Sequence, residues 1–212
     1  MKILSIDWDY FFPDAKEMDW GANEKDYIFQ DVIWYARAGG VWHDGSSILK
    51  TFSPTIPENF WSIVEGKPLI ATAESHEDIK HVLKLCAPHE VDNLDAHHDY
   101  GYENDCDLNC GNWAYMFSKI RKKISRYRLY YPEWRKDSKE LNIDDIGIDY
   151  TYGLPEPTDY DIVFLCRSGA WTPPWSDDKL MQFIDDSGLE VHPLMELRPR
   201  AFNMQEAVKI EE

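Results

Sequence analysis

What this chain has little of narrows its class before any motif is read. Only 22 of its 212 residues are Lys or Arg, against 39 Asp or Glu, giving a formal net charge of −17. A surface so poor in cations cannot neutralise a phosphate backbone, so nucleic acid is not an expected partner; the summed field favours divalent metals and guanidinium or ammonium substrates. Acidic excess also serves solubility, so charge alone does not choose between these readings. Long apolar runs are missing too. No segment nears the ~20 residues of a membrane span, and the start Met1-Lys2-Ile3-Leu4-Ser5-Ile6-Asp7 lacks the apolar stretch of a secretion signal. A soluble, cytoplasmic protein without a membrane partner is expected. Cysteine is sparse: Cys86, Cys106, Cys110 and Cys166 lie in a chain large enough to stand without staples, which predicts thiols rather than disulfides. Cys106 and Cys110 have no second pair to complete a zinc site.

What is present suffices for one core. With 43% apolar residues, a single domain over 1–212 is expected. Residues 2–6 read as a buried strand ending at Asp7, and residues 24–38 carry Ile28, Val32 and Tyr35 at helical spacing before Gly39-Gly40. From Val41 to Pro57 the chain reads as a long surface connection. Pro68–Ala73 predicts a second strand, followed by a helical stripe of Ile79, Val82, Leu83 and Cys86, and Val91–Ala96 predicts a third. Residues 112–124 read as a helix whose basic end (Lys119, Arg121, Lys122, Lys123) is a solvated face. Further strands are expected over Tyr127–Tyr131, Ile143–Ile148 and Asp161–Cys166, the last followed by a helix from about Ser176 to Asp185. Strands alternating with helices imply an α/β fold with a mostly parallel sheet covered on both faces.

Three segments bring metal-binding side chains to the expected carboxyl ends of strands: Ser5-Ile6-Asp7-Trp8-Asp9, Glu74-Ser75-His76-Glu77 and Asp95-Ala96-His97-His98-Asp99. In open α/β sheets ligands bind in the crevice beyond those ends, so segments distant in sequence can meet there. Alternation in an extended segment would turn Asp95, His97 and Asp99 to one side, and likewise Asp7 and Asp9. Four carboxylates and two imidazoles form an oxygen-rich, thiolate-free set suited to two manganese ions, with other divalent metals able to substitute. Each short segment also has a plain structural reading. Asp-x-Asp can cap a helix or turn, and His76 can be a polar residue at a helix start. Asp95-Ala96-His97-His98-Asp99 resists that reading, because its ionisable groups are costly at a strand end unless paired or metal-bound.

At these residues the sequence resembles the arginase and agmatinase superfamily, whose motifs take the forms Asp-Ala-His-x-Asp and Ser-x-Asp-x-Asp with one upstream histidine. The resemblance implies Asp7, Asp9, His76, Asp95, His97 and Asp99 as ligands of two manganese ions, with Asp95 and Asp7 bridging, His76 on one ion and His97 on the other. Leu4–Phe11, Glu74–Glu77 and Arg167-Ser168-Gly169-Ala170-Trp171-Thr172-Pro173-Pro174 are similar to a compact arginase-like group that includes the peptide arginases. Those enzymes turn arginine residues of ribosomally made precursor peptides into ornithine. The resemblance implies a three-layer α/β/α arginase-like fold. Two departures stand out. Asp7 and Asp9 precede the Asp95–Asp99 motif, as a circular permutation would produce. After Gly111-Asn112, where free-arginine enzymes carry a proton-shuttling histidine, this chain reads Trp113-Ala114.

Guanidinium is a resonance-stabilised cation whose carbon is a poor electrophile, a problem that two Lewis-acidic ions and an activated water solve. Asp99 is the candidate to orient that water and pass its proton to the leaving amine. Glu74 and Glu77 are candidates to hold the guanidinium, and Asn112 is expected at the substrate site. The expected substrate is an arginine-containing precursor peptide or a small guanidine, agmatinase-like. A rival reading is a haloacid-dehalogenase-type phosphatase with Asp7 as nucleophile and Asp9 as general acid, which leaves the Asp95–Asp99 motif without a role. Deacetylase-like amide cleavage on one zinc and a non-enzymatic metal-stabilised module are the others; a full ligand set argues against the latter.

Overall fold

A computed structural model describes residues 1–13, 32–35, 37, 52–85, 88–101, 107–137, 143–197 and 200–203. Nine strands are found there: β1 (Lys2–Asp7), β2 (Val64–Glu65), β3 (Leu69–Ala73), β4 (His89–Leu94), β5 (Ile124–Tyr131), β6 (Asp149–Tyr152), β7 (Thr158–Asp159), β8 (Ile162–Cys166) and β9 (Val191–Pro193). Seven build one sheet in the order β6-β5-β4-β1-β8-β3-β9, and every pairing in it is parallel. β2 and β7 form a separate parallel pair. No helix among the described residues is long and apolar enough to cross a membrane.

Period-2 alternation sorts the strand residues onto two faces. Leu4, Ile6, Ile70, Val163 and Leu165 point to a core closed by Leu180, Phe183 and Ile184 of the helix Asp177–Asp186, together with the aromatic turn Trp8–Phe11. Phe183 lies 5.0–5.2 Å, ring to ring, from Trp8, Phe11 and Phe60. Its truncation to Ala would therefore cost about 3–5 kcal/mol. On the opposite face Ile3, Ala71, Val91, Phe164 and Leu129 meet Val82 and Leu83 of the short helix Lys80–Leu83, and Trp113 and Phe117 of Trp113–Ile120. The result is the expected α/β architecture, a parallel sheet with helices on both sides.

Local differences from the sequence reading have identifiable causes. The predicted strand Ile143–Ile148 is a run of turns over 143–147, and β6 begins only at Asp149. Gly147 sits at φ 65° and Asp144 accepts a hydrogen bond from the Tyr150 hydroxyl at 2.6 Å, so turn chemistry wins, while Ile143 is buried in the core. The helix expected over 112–124 is α-helical only at Trp113–Tyr115 and continues as a π-turn over Met116–Ile120; Lys119, Arg121 and Lys122 are exposed, as predicted. Residues 32–35 are helical, but Val32 is exposed and Ile33, Trp34 and Arg37 are buried instead. The Trp34 indole donates to the Gly169 carbonyl at 2.7 Å and Arg37 donates to that of Ala170, which turns this face inward. Ile28 and Gly39-Gly40 lie outside the described residues, as do residues 41–51, Cys86 and Cys106. Of the described end of the Val41–Pro57 connection, Phe52 is buried against Phe12 and Trp34, whereas Ser53 to Pro57 are half-buried or exposed, as a surface connection would be.

Candidate metal centre

The topology directs four strand ends to one place. β1 lies between β4 and β8, and β8 lies between β1 and β3, with Asp7 in register with Cys166 and Cys166 in register with Ala73. The carboxyl ends of these central strands therefore carry Asp7, Asp95, Cys166 and the Glu74–His76 segment to one edge of the sheet, the crevice position of parallel α/β folds.

All six predicted ligands converge there. His76 Nδ1 stands 3.2 Å from Asp7 Oδ2, 3.1 Å from Asp95 Oδ2 and 3.0 Å from Asp99 Oδ2. His97 Nδ1 stands 2.9 Å from Asp9 Oδ2 and 3.7 Å from Asp95 Oδ1. Asp95 thus turns one oxygen toward each imidazole, the arrangement a bridging carboxylate needs. Asp7 turns Oδ2 to His76, while its Oδ1 accepts the Asp9 amide at 3.0 Å.

The backbone route to this convergence differs from simple strand alternation. Asp7 ends β1 and caps the 3-10 turn Trp8–Phe11, so the capping contact and the contact with His76 fall on its two different oxygens. β4 stops at Leu94, and Asp95–Asp99 runs on as irregular chain in which Asp99 takes a left-handed φ of 51°. Such a conformation costs a non-glycine residue on the order of 1 kcal/mol and persists where surrounding contacts over-determine it. Those contacts are the Trp113 indole, donating to Asp99 Oδ2 at 2.5 Å, and the Ala114 amide, donating to the Asp99 carbonyl at 3.1 Å. His76 begins a 3-10 turn at the end of β3.

Outer partners hold the candidate ligands in place. Ser5 Oγ lies 2.7 Å from His76 Nε2; with that nitrogen protonated, the Nδ1 lone pair is aimed at the carboxylates when a cation is present. Asp95 accepts from the Asn93 side chain at 3.1 Å and from the His97 amide at 2.8 Å, and Asp9 accepts from the Ala96 amide at 3.3 Å.

Without a cation, the electrostatics of this cluster are unfavourable. Burial, with repulsion from Asp9 and Asp95, pushes the Asp7 carboxyl up to about 7. Burial, with repulsion from Asp99, pushes Asp95 up to about 8. Asp99 is raised by burial as well. Burial would also raise Asp9, but His97 outweighs it and the net shift is downward. For His76 burial favours the neutral ring, yet its three carboxylate neighbours prevail and lift its pKa well above the usual histidine value.

These residues fit a metal centre. An imidazole nitrogen carries at most one proton, so hydrogen bonding does not account for three carboxylate oxygens crowded around Nδ1. Ligand bonds of about 2.1 Å place neighbouring donor atoms about 3.0–3.4 Å apart in octahedral or tetrahedral shells, which is the spacing around His76. Three groupings of donor atoms have the closeness a metal requires: Asp7, His76 and Cys166; His76, Asp95 and Asp99; and Asp9, Asp95 and His97. Asp9, His76 and Asp95 are fully buried, whereas His97 retains 8%, Asp99 5% and Asp7 4%. The half-buried Trp171 ring lies 5.2 Å from the His97 ring.

The remaining predicted site residues have other engagements. Glu74 is buried and accepts from Arg167 Nε at 2.8 Å and from Arg167 Nη2, while Arg167 also reaches Asp177 at 3.3 Å. Glu77 holds Lys80 at 2.7 Å. Asn112 spends its amide on the loop before Trp113, accepting from the Asn109 amide at 2.9 Å and donating to the Asp107 carbonyl at 2.7 Å. His98 turns its Nδ1 to the Tyr100 amide at 2.9 Å.

Sequence reasoning missed Cys166, Trp113 and Arg167 as parts of this neighbourhood. A usable signal existed for the first: Cys166 ends an apolar strand just as Asp7 does. Nothing local pairs Trp113 with Asp99 or Arg167 with Glu74. No protein-family model, curated protein or solved structure matches the chain.

Proposed function

We propose that this chain is a two-metal hydrolase of the arginase type, cleaving the guanidinium group of arginine, in a precursor peptide or as a small guanidine, to ornithine and urea. The observation that carries the reading is Asp95, with one oxygen toward His76 and the other toward His97, each imidazole having a further carboxylate beside it. Four carboxylates carry a charge of −4, which two divalent ions would cancel. Asp7, Asp99 and His76 would hold one ion and Asp9 and His97 the other, with Asp95 shared. When bound, such ions supply Lewis acidity and bring the pKa of a water toward neutrality.

The chain's own residues supply the rest. Asp99 Oδ2 is anchored by Trp113, which leaves Oδ1 to take a proton from the attacking water and deliver it to the leaving amine. Trp113 occupies the place where a shuttle histidine is expected and acts on Asp99 instead. Trp171, half-buried beside His97, would offer an aromatic ring to a planar cation. Glu74, already engaged by Arg167, is assigned to orienting the loop rather than to gripping substrate.

The test is to reconstitute the protein with manganese and supply arginine-containing peptides, free arginine and agmatine, measuring urea and peptide mass. Urea with ornithine-bearing peptide supports the peptide form; urea from the small molecules alone selects the agmatinase-like form. Urea from none of them, with metal bound, sinks the guanidine reading.

A further inference from the structure

Cys166 is the last residue of β8, fully buried, and lies on the sheet face that carries Ile162 and Phe164. A buried cysteine usually acts as a small apolar side chain. This one does not face apolar groups alone. It stands in register with Asp7 on the neighbouring strand, and its thiol donates to Asp7 Oδ2 at 3.4 Å, the oxygen that lies 3.2 Å from His76 Nδ1. Sulfur, carboxylate oxygen and imidazole nitrogen sit close enough together to share one cation. Bonds of about 2.3 Å to sulfur and about 2.1 Å to oxygen separate those two donors by about 3.1–3.6 Å over the usual angles, and the observed spacing falls inside that range. Among the described residues no equivalent sulfur accompanies the other grouping, Asp9, Asp95 and His97.

Resting on the two-metal reading above, we propose that Cys166 is a seventh ligand, a thiolate on the His76-side ion only. The proton of the thiol passes to solvent as the cation binds. The two positions are then chemically unequal. Among the described residues the His97 side offers oxygen and nitrogen alone and suits manganese, whereas the His76 side has a soft donor and favours a softer ion such as zinc, iron or cobalt.

Cobalt(II) alone, titrated into metal-stripped full-length protein, tests this. A thiolate ligand produces a sulfur-to-cobalt charge-transfer band in the near ultraviolet, distinct from the visible bands of cobalt held by oxygen and nitrogen. The expected result is that band in the parent protein, its loss in both Cys166→Ser and Cys166→Ala with cobalt still bound, and its retention in Cys110→Ser. Cobalt binding with no such band, or a band that survives both Cys166 changes, would overturn the proposal and leave the metal centre standing. Failure to bind cobalt at all would overturn both.

Discussion

Stripping divalent metal should make the stability of this protein fall as pH rises, which is the reverse of acid denaturation. The perturbation is chelation. In the metal-free protein the Asp7 carboxyl is raised to about 7 by burial and by Asp9 and Asp95, and Asp95 to about 8 by burial and by Asp99. Both therefore keep protons in the folded state that an unfolded chain, titrating near pH ~4, has already released. The folded state binding more protons means that stability is greatest below the unfolded pKa and is lost as pH climbs through the folded values. His76 acts in the same direction above its ordinary pKa, because its folded value is raised. Asp9, shifted downward, acts oppositely, but below its ordinary carboxylate value and so outside this window.

Each proton so retained corresponds to about 1.4 kcal/mol per pH unit, or about 3 kcal/mol between about pH 5 and pH 7. For a domain of this size that is a fall in Tm of about 6–12 °C. The assay is a thermal melt across that range with chelator present, and again with manganese. Ions at about 100 times Kd would add about 2.7 kcal/mol per site, more at the alkaline end where protons no longer compete, and so flatten the profile. A chelated protein whose Tm is level or rises between those pH values would refute the reasoning.

Three further outcomes are expected. His97→Ala should abolish activity and cost one bound metal, whereas His98→Ala should lose only about 1–3 kcal/mol of stability, from the stranded Tyr100 amide, and keep both ions on metal analysis. Ser5→Ala and Trp113→Phe each remove an outer partner of a ligand and should weaken metal affinity about 10–100-fold in a competition titration without unfolding the chain. Arg167→Ala leaves Glu74 as an uncompensated buried charge and should destabilise by about 3–5 kcal/mol in denaturant melts; Glu74→Gln combined with it should recover part of that loss.

Much of this protein was legible in its sequence because the relevant information is local. Apolar runs of strand length punctuated by helical stripes identify a parallel sheet covered on both sides, since each strand must bury both faces. The residues that converge were legible for a related reason: Asp95-Ala96-His97-His98-Asp99 concentrates ionisable groups at a strand end where burial is costly unless they are paired or bound to a cation. Turn-rich segments were read less well. Ile143–Ile148 has the apolar content of a strand, but Gly147 and the Asp144–Tyr150 bond bend it into turns.

Only the tertiary structure decided which groups meet. Strand order brings Cys166 beside Asp7 although they are far apart in the chain, and no local periodicity encodes which strand neighbours which. The same holds for Glu74, which sequence reasoning offered to a substrate guanidinium and folding gives to that of Arg167. Asp99 reaches His76 through a left-handed turn held by Trp113, not through strand alternation. Hydrophobic pattern selects the elements, because burial depends on each residue's own apolar surface. The site depends on distances between residues on different elements, which exist only once those elements have packed.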